Sequence, residues 1–424
     1  MEKNYKLDTM CVQAGYSPET GEARIPPIAQ STTFVYKKTQ DMADLFDLKS
    51  DGYFYTRLAN PTVAAFESKI AALEGGVCGI GCASGMSATT LAILTVAGVG
   101  DNIITSQAVY GGTYNLFSTT LPKLGIECRF FDPDAPAEDI EKLIDGRTKL
   151  IFTETIANPA IIVLDFEKIA KIAEKHKILF AVDNTLATPV LCRPAELGAN
   201  IIIHSSSKYL DGHAAALGGV IIDIGNFDFK DNTRYSSFNE PDESYHGLVY
   251  ADLPVAFGTK CRAQMMRDFG AIMSPQNAFI AYIGSDTLAL RMERHSSNAK
   301  KVAKFLSTHP KIEWILHPSL TENKYRKLAE KYLPSGQGGM MSFGIKGDVQ
   351  KCAKFMEALQ LITQETHVAD VRSCVLHPAS TTHRQLSEED LVKAGVPHNL
   401  IRLSVGIENP DDIIADLEQA LEKI

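Results

Sequence analysis

Between residues 61 and 223, short apolar runs rich in β-branched residues alternate with longer stretches of helical periodicity. Seven of these short runs are predicted to be strands, at residues 76–84, 102–106, 126–132, 148–154, 178–184, 200–205 and 217–223. Strands that alternate with helices predict βαβ units and a mostly parallel sheet. Because the runs are apolar throughout, we expect helices to cover both faces of this sheet.

The pattern changes on both sides of this region. Residues 1–58 have little periodicity and many turn formers, and we expect an N-terminal arm that contacts a neighbouring subunit. From residue 274 a long amphipathic stretch predicts one or two helices, followed by mixed strands and helices. A chain of 424 residues exceeds what one core usually supports. We therefore predict an α/β protein with an arm at 1–58, a sheet domain at 59–283 and a smaller α+β domain at 284–424.

Polar side chains follow three neighbouring predicted strands, at the edge where an open α/β sheet binds its ligands. These residues are Glu154 and Asn158, then Asp183 and Thr185, and then Ser205, Ser207 and Lys208. Asp183 and Lys208 are separated by about the length of one short crossover, so both are expected in one crevice.

The chemistry of these side chains points to one kind of cofactor. A lysine amine with a lowered pKa forms a Schiff base with an aldehyde, and nearby hydroxyl groups bind a phosphate. A carboxylate on the next strand keeps a pyridine nitrogen protonated. Upstream, Gly85 opens a predicted helix whose free N–H groups suit an anion, and Tyr110 offers a stacking surface. Together these features predict pyridoxal phosphate.

Other interpretations of the same residues stay open. A single strand-end Asp is more often a helix cap, and a single lysine is usually solvated. Gly79 and Gly81 loosely fit a dinucleotide fingerprint, although Ser84 replaces its third glycine, so a nicotinamide-dependent oxidoreductase is one alternative. The acids Glu154 and Asp183 would suit a glycosidase, but no barrel pattern accompanies them. A non-catalytic scaffold is the last alternative.

Composition narrows the partners and the compartment. The net charge of −9 disfavours nucleic acid as a partner, since phosphate binding needs a basic face. The N-terminus has no apolar core typical of an export signal, and no apolar stretch is long enough to span a membrane. The eight cysteines are scattered and have no metal-ligand spacing, so we expect reduced thiols, no metal and a cytoplasmic protein.

Five segments resemble a known family. They are SGM (84–86), VDNT (182–185), SSSKYLDGH (205–213), HPASTTH (377–383) and RLSVGIE (402–408). In this order they resemble the cysteine/methionine-metabolism family of pyridoxal-phosphate enzymes, which includes cystathionine synthases and lyases, methionine γ-lyase and O-acetylhomoserine sulfhydrylase. The resemblance implies fold type I, the PLP-dependent transferase-like fold, and a homotetramer built from two catalytic dimers.

The resemblance also implies a role for each matching residue. Lys208 would form the Schiff base and then move protons, and Asp183 would pair with the pyridine nitrogen. Phosphate contacts would come from Gly85, Met86, Ser205 and Ser207, with Thr185 a further cofactor contact. Tyr110 would stack on the ring and act as an acid or base. Asn158 would contact the ring hydroxyl and, like Arg402, the substrate. Tyr55 and Arg57 would reach the cofactor phosphate of a neighbouring subunit. Tyr55 would also contact the substrate bound there.

Within the family, several segments resemble the sulfhydrylase branch. Gly112 stands where methionine γ-lyases have a cysteine, and EPDESYHGLVY and MMRDFGAIMSPQNAF also match that branch. The implied reaction is γ-replacement of the acetate of O-acetyl-L-homoserine by sulfide or a thiol. Methionine γ-lyase and cystathionine γ-synthase or lyase activity are the alternatives. His367 departs from the family, which usually has Ser or Asn there, followed by an apolar residue and Gly where this chain has Ala369.

Overall fold

The computed structural model describes residues 5–382, 384 and 395–424. The last residue of the HPASTTH segment, His383, lies outside the described residues. Residues 1–4 of the predicted arm and residues 385–394 of the predicted C-terminal domain also lie outside them.

A seven-stranded sheet forms the centre of the larger part of the chain. Its strands are β1 Cys78–Cys82, β2 Asn102–Ser106, β3 Glu127–Phe131, β4 Thr148–Glu154, β5 Leu179–Asp183, β6 Ile201–His204 and β7 Gly219–Asp223. The spatial order is β1-β7-β6-β5-β4-β2-β3. Strands β2 to β6 pair in parallel, whereas β7 is antiparallel to both neighbours. The predicted mostly parallel sheet of seven strands is confirmed.

The direction of β7 follows from its connection. A parallel neighbour needs a crossover, usually a helix, that returns the chain to the starting edge. Residues 205–218, between β6 and β7, form turns without a helix, so the chain runs back antiparallel. This connection carries Ser205, Ser207 and Lys208 across the carboxyl edge of the sheet.

Helices cover both faces of the sheet. The helices up to residue 269 are α1 Leu7–Gln13, α2 Thr39–Phe46, α3 Pro61–Glu74, α4 Gly85–Val96, α5 Gly111–Asn115, α6 Leu121–Lys123, α7 Ala137–Glu141, α8 Phe166–His176, α9 Thr188–Leu191, α10 Ser236–Asn239, α11 Ala256–Lys260 and α12 Arg267–Phe269. Alternate residues of β6 lie in different cores: Ile202 packs in one apolar cluster with α3 and α8, and Ile201 and Ile203 pack in another with α4.

Helix α3 shows how local sequence sets an element's ends. The Asn60 side chain accepts a hydrogen bond from the Thr62 N–H at 3.0 Å, and Pro61 occupies the first turn. The helix ends at Gly75, whose φ of 78° is left-handed and favours glycine.

A second sheet of five strands forms a smaller unit. Its strands are β8 Ile312–Leu316, β9 Met340–Ile345, β10 Thr363–Gln364, β11 Cys374–Leu376 and β12 Leu400–Ser404, in the order β10-β11-β12-β9-β8. The helices from residue 275 onward are α13 Pro275–Asp286, α14 Leu288–Thr308, α15 Arg326–Tyr332, α16 Val349–Ala358 and α17 Pro410–Glu422. The predicted α+β unit is thereby observed, and the long amphipathic stretch forms two helices.

The first 58 residues contain more structure than their weak periodicity predicts. Helix α1 buries Cys11 against the main core, and α2 buries Leu45. The other described residues of this arm, within 5–58, are mostly extended or turn. The domain boundaries stay predictions. In the part of the chain described, none of the helices has the length and apolar character needed to cross a bilayer.

Candidate active site

A cavity of about 230 Å³ opens where the carboxyl ends of β4, β5 and β6 meet the start of α4 and strand β12. Its walls combine strand-end polar groups with apolar side chains. The lining residues are Ser84, Gly85, Met86, Thr89, Tyr110, Thr113, Glu154, Ile156, Asn158, Asp183, Thr185, Leu186, Ser205, Ser207, Lys208, Leu217, Thr366, Val368 and Arg402. Asp183 and Lys208 thus face one cavity, as the sequence analysis requires.

One end of the cavity is suited to an anion. Helix α4 begins at Gly85, and its first N–H groups have no partner within the helix. Ser205 and Ser207 face this helix start, with their hydroxyl oxygens 2.8 Å apart. A Cβ on residue 85 would lie 2.6 Å from the Cβ of Ser205, so only glycine permits this close approach. The N–H groups and the two hydroxyls together form a cradle for a phosphate.

Asp183 occupies the floor of the cavity at the end of β5. Its Oδ1 accepts a hydrogen bond from the Thr185 N–H at 2.9 Å. Burial raises the pKa of Asp183, while Thr185 and the nearby His204 oppose this shift. A cationic N–H placed against this carboxylate would offset the cost of its burial.

A buried polar network is centred on Glu74 and Asn184, the residue after Asp183. Glu74 and His204 are fully buried, and Oε1 of Glu74 lies 2.7 Å from Nε2 of His204. The same oxygen accepts from the side-chain amide of Asn184 at 2.8 Å, and Asn184 in turn accepts from Thr155 at 2.7 Å. The network joins α3 and β6 to the residues that directly follow β4 and β5, and therefore holds the strand ends in a fixed relation.

Glu154 lies beside Asp183, because β4 and β5 pair these two residues directly. Burial, and then the charge of Asp183, raise the pKa of Glu154 well above its usual range. Its Oε1 accepts a hydrogen bond from the Tyr110 N–H at 2.6 Å, which fixes the start of α5. From sequence, Glu154 was expected at the ligand-binding edge but had no role other than half of a glycosidase pair, whereas in the structure it anchors Tyr110.

Tyr110 and Asn158 leave groups available to a ligand. The Tyr110 side chain is 50% exposed, and its ring lies against Gly112, where a Cβ would be 2.5 Å from ring carbon Cε1. Asn158 is buried, and its Oδ1 has no hydrogen-bond partner among the described residues. A buried amide oxygen without a partner is costly, so a bound donor at this position would be stabilising.

Lys208 enters the cavity from the connection after β6. Burial and then the neighbouring guanidinium of Arg402 lower the pKa of Lys208 from its ordinary 10.5 to about 8. Its Nζ lies 3.2 Å from Nδ1 of His367. A lysine with this pKa has a substantial neutral fraction near neutrality, which is the form that attacks an aldehyde.

Arg402 reaches the cavity from strand β12 of the smaller sheet. It is 6% exposed, and its Nη2 donates to the carbonyl oxygens of Thr366 at 3.1 Å and His367 at 3.2 Å. Burial lowers the pKa of Arg402 to about 10. Within the described part of the chain no carboxylate forms an ion pair with it. A buried guanidinium of this kind is suited to a ligand's carboxylate.

The cavity brings together all the predicted site residues except Tyr55 and Arg57. Tyr55 is 43% exposed, and Arg57 lies over its ring and donates to the Arg267 carbonyl. The cavity-lining residues that the sequence did not single out for this site are Ser84, Thr89, Thr113, Ile156, Leu186, Leu217, Thr366 and Val368. Ser84 alone carried a signal, as the cap before a predicted helix; it accepts from the Ser87 N–H at 3.1 Å.

The polar groups in this cavity fit pyridoxal phosphate. The anion cradle suits its phosphate, Asp183 suits its ring nitrogen, and Lys208 suits its aldehyde. The unpartnered Oδ1 of Asn158 suits a ring hydroxyl, which would donate to it. No second ligand is needed to explain these groups.

Comparison with known proteins gives full-length matches. The family model described as Cys/Met metabolism PLP-dependent enzyme matches residues 8–422. An O-acetyl-L-homoserine sulfhydrylase of Leptospira meyeri is 43% identical, over 100% of this chain and 98% of its own length. A homocysteine synthase of Schizosaccharomyces pombe is 44% identical, over 98% of each chain.

A solved structure agrees with these matches. A Campylobacter jejuni protein, provisionally assigned as an O-acetylhomoserine (thiol)-lyase, superimposes with a TM-score of 0.96 and is 43% identical. The superposition covers 99% of this chain and 100% of that one. The Campylobacter structure contains N'-pyridoxyl-lysine-5'-monophosphate.

Proposed function

Because the chain belongs to the Cys/Met-metabolism family of PLP-dependent enzymes, we propose that it is an O-acetyl-L-homoserine sulfhydrylase. It replaces the acetate of O-acetyl-L-homoserine by sulfide or methanethiol, and so forms L-homocysteine or L-methionine. The observation that carries this function is full-length identity above 40% to a sulfhydrylase and a homocysteine synthase, combined with a cavity that holds both Lys208 and Arg402.

The chain's own residues hold the cofactor and the substrate at opposite ends of one cavity. Gly85, Met86, Ser205 and Ser207 bind the phosphate, and Asp183 binds the ring nitrogen. Arg402 takes the substrate carboxylate with its fork of N–H groups, because no described carboxylate already neutralises it. When bound, pyridoxal phosphate supplies an aldehyde that joins to an amine and a ring that withdraws electrons from the adjacent carbon.

Lys208 moves the protons of this reaction. Its lowered pKa increases the share of neutral amine, the form that would link to the aldehyde and, once released by substrate, would act as the base that removes the α proton. Asp183 stays in its hydrogen bond with Thr185 and keeps the ring nitrogen protonated. Tyr110 lies at the cavity wall, where Glu154 anchors its backbone. Its ring would stack on the cofactor ring, and its hydroxyl would serve as a further acid or base.

Product analysis tests the function directly. The purified protein is incubated with O-acetyl-L-homoserine and sulfide, and homocysteine is measured; in parallel, 2-oxobutanoate is measured from L-methionine alone. We expect homocysteine formation to exceed 2-oxobutanoate release, and an excess of 2-oxobutanoate would instead identify a γ-lyase. O-succinyl- and O-phospho-L-homoserine in the same assay identify the preferred leaving group.

The active form is proposed to be a homotetramer of two catalytic dimers, in which each cavity receives Tyr55 and Arg57 from a neighbouring copy. Of the described residues that line the cavity, Lys208 and Arg402 are the cations, and neither belongs to the phosphate cradle. Arg57 of a second copy would supply the missing charge. The arm also exposes apolar side chains, including Val35 at 97% and Phe46 at 55%, which a subunit interface would cover.

Mixing inactive variants tests the shared site. Arg57→Ala and Lys208→Ala each damage a different half of it, so mixed dimers regain one intact cavity if the halves come from different copies. We expect activity to return on mixing and subunit exchange. If activity stays absent although mixed oligomers form, Arg57 does not act across the interface.

A cytoplasmic location remains part of the proposal. All eight cysteines are free thiols, which is typical of a reducing compartment. Fractionation of the source cells would test it.

A further inference from the structure

His367 departs from the family at the sequence level, and the proposed function leaves it without a task. It lies in the connection between β10 and β11, and its Nδ1 is 3.2 Å from Nζ of Lys208. Its Nε2 is buried and has no hydrogen-bond partner within the described residues. The contact thus joins the reactive amine to a residue 159 positions further along the chain, from the other sheet.

The backbone around His367 is held from several sides. Its carbonyl oxygen accepts from Nη2 of Arg402 at 3.2 Å and from the Cys374 thiol at 3.2 Å. Two residues on, the Ala369 N–H donates to the Ser404 hydroxyl at 2.8 Å. A ring on a backbone fixed in this way presents its Nδ1 in one direction, as a positioning group must.

The charge state of the His367 imidazole allows it to accept a hydrogen bond. Burial, and then the charge of Lys208, lower the pKa of His367 from its ordinary 6.5, so the imidazole is neutral at pH 7. A neutral ring with its proton on Nε2 offers a lone pair on Nδ1, and a lysine amine has N–H groups to donate.

We propose that His367 is a positioning residue that accepts a hydrogen bond from the Lys208 amine whenever this amine is free, and holds it in reach of the substrate's α proton. This inference rests on the proposed function for the role of Lys208 as base. The physical reason is that a lysine amine ends a flexible four-carbon stem, and loss of a defined orientation slows proton transfer more than it weakens binding.

Exchange of the α proton measures this positioning without the replacement chemistry. The holoenzyme is incubated in D₂O with L-norvaline, which has no leaving group, and loss of the α-proton signal is followed by NMR. For His367→Ala we expect exchange to slow roughly tenfold, while the norvaline concentration for half-maximal exchange changes less than about twofold. For His367→Asn we expect the rate to return to within about threefold, because the amide oxygen takes the place of Nδ1.

A spectroscopic measurement tests the contact itself, even if a variant lacks activity. In cofactor-stripped full-length protein labelled with ¹⁵N-histidine, the His367 signals are identified by their absence in His367→Asn. We expect them to move on Lys208→Met, which removes the donor but keeps most of the stem. His367 signals unchanged by Lys208→Met would overturn the proposal.

The remaining outcomes separate the inference from the proposed function. If the wild type exchanges the α proton but forms no homocysteine, the proposed function is wrong and His367 keeps its assigned task. If His367→Ala exchanges at the wild-type rate, or only its half-maximal concentration rises, the inference fails while the function stands. If His367→Asn is as slow as His367→Ala, the hydrogen-bond acceptor is not what Lys208 requires, and the inference again fails.

Discussion

The two ends of the cavity are built by different means. The cofactor end consists of groups at the ends of adjacent strands β4, β5 and β6 and at the start of α4, so the topology of one sheet sets their positions. The substrate end consists of Arg402 and the connection between β10 and β11, which come from the other sheet and meet through a few hydrogen bonds to backbone carbonyls.

At the cofactor end the fold sets the positions of the side chains, whereas at the substrate end single hydrogen bonds set them. Asp183 ends β5, and the next residue, Asn184, belongs to the buried network of Glu74 and His204, so we expect the position of Asp183 to tolerate changes at most neighbouring residues. At the other end, His367 and Ala369 differ from the family resemblance, and the hydrogen bonds around them use main-chain atoms. We therefore expect substitutions at the cofactor end to abolish turnover, and those at the substrate end to change mainly KM.

The largest effect is expected for Lys208→Ala. Turnover should fall by about 10⁴-fold or more, since the variant loses both the link to the aldehyde and the proton-moving amine. The visible absorbance of protein-bound cofactor should disappear with it. The matched control is Lys171→Ala, at a surface lysine whose side chain is 73% exposed; its turnover and cofactor absorbance should equal those of the wild type. A native cofactor absorbance in Lys208→Ala would contradict the assignment.

A smaller effect is expected for Arg402→Ala at the substrate end. Loss of the charged hydrogen bonds to the substrate carboxylate should cost about 1.5–3 kcal/mol, or roughly 10- to 100-fold in kcat/KM, mostly through KM. Arg402→Lys, which keeps the charge but not the fork, should lie between this variant and the wild type. Arg326→Ala on the surface is the control. An unchanged KM in Arg402→Ala would remove the substrate role from this residue.

The two ends are also coupled through charge, which pH dependence reveals. The neutral amine of Lys208 is the form that takes up pyridoxal phosphate, and its pKa is about 8, so uptake by cofactor-stripped protein should rise roughly tenfold between pH 7 and 9. Because the Arg402 guanidinium lowers this pKa, Arg402→Ala should move the midpoint to higher pH. A midpoint near 10.5 in the wild type, or one that Arg402→Ala leaves in place, would show that the ends are independent.

The same contrast explains what the sequence predicted. The seven strands of the larger sheet and the polar residues at their ends were identified because continuous apolar runs mark buried parallel strands, and parallel strands share one carboxyl edge. In the smaller sheet, β10 is two exposed residues long and β11 three, too short for any period to appear.

Contacts between distant segments were beyond such reasoning. His367 was recognised only as an unusual residue, and its contact with Lys208 depends on how the second sheet packs against the first. The anchoring of Tyr110 by Glu154 is of the same kind, since one side chain meets the backbone of another element. Sequence patterns give the positions of residues along elements, whereas these contacts require the angle between elements.

The smallest expected effect, at Ala369, tests how far the substrate end tolerates change. Ala369 has a left-handed φ of 64°, a conformation that costs a non-glycine residue about 1–2 kcal/mol. Ala369→Gly removes this strain but adds chain entropy to the unfolded state, so the free energy of unfolding should rise by no more than about 1 kcal/mol. Ala173 lies within helix α8 and has no strain to relieve, so the free energy of unfolding of Ala173→Gly should instead fall by about 1 kcal/mol. Denaturant unfolding of the holoenzyme compares the two, and an equal loss of stability in both variants would mean that Ala369 is not strained. Because the Ala369 N–H still donates to Ser404 in the glycine variant, its KM should stay within about twofold of the wild type.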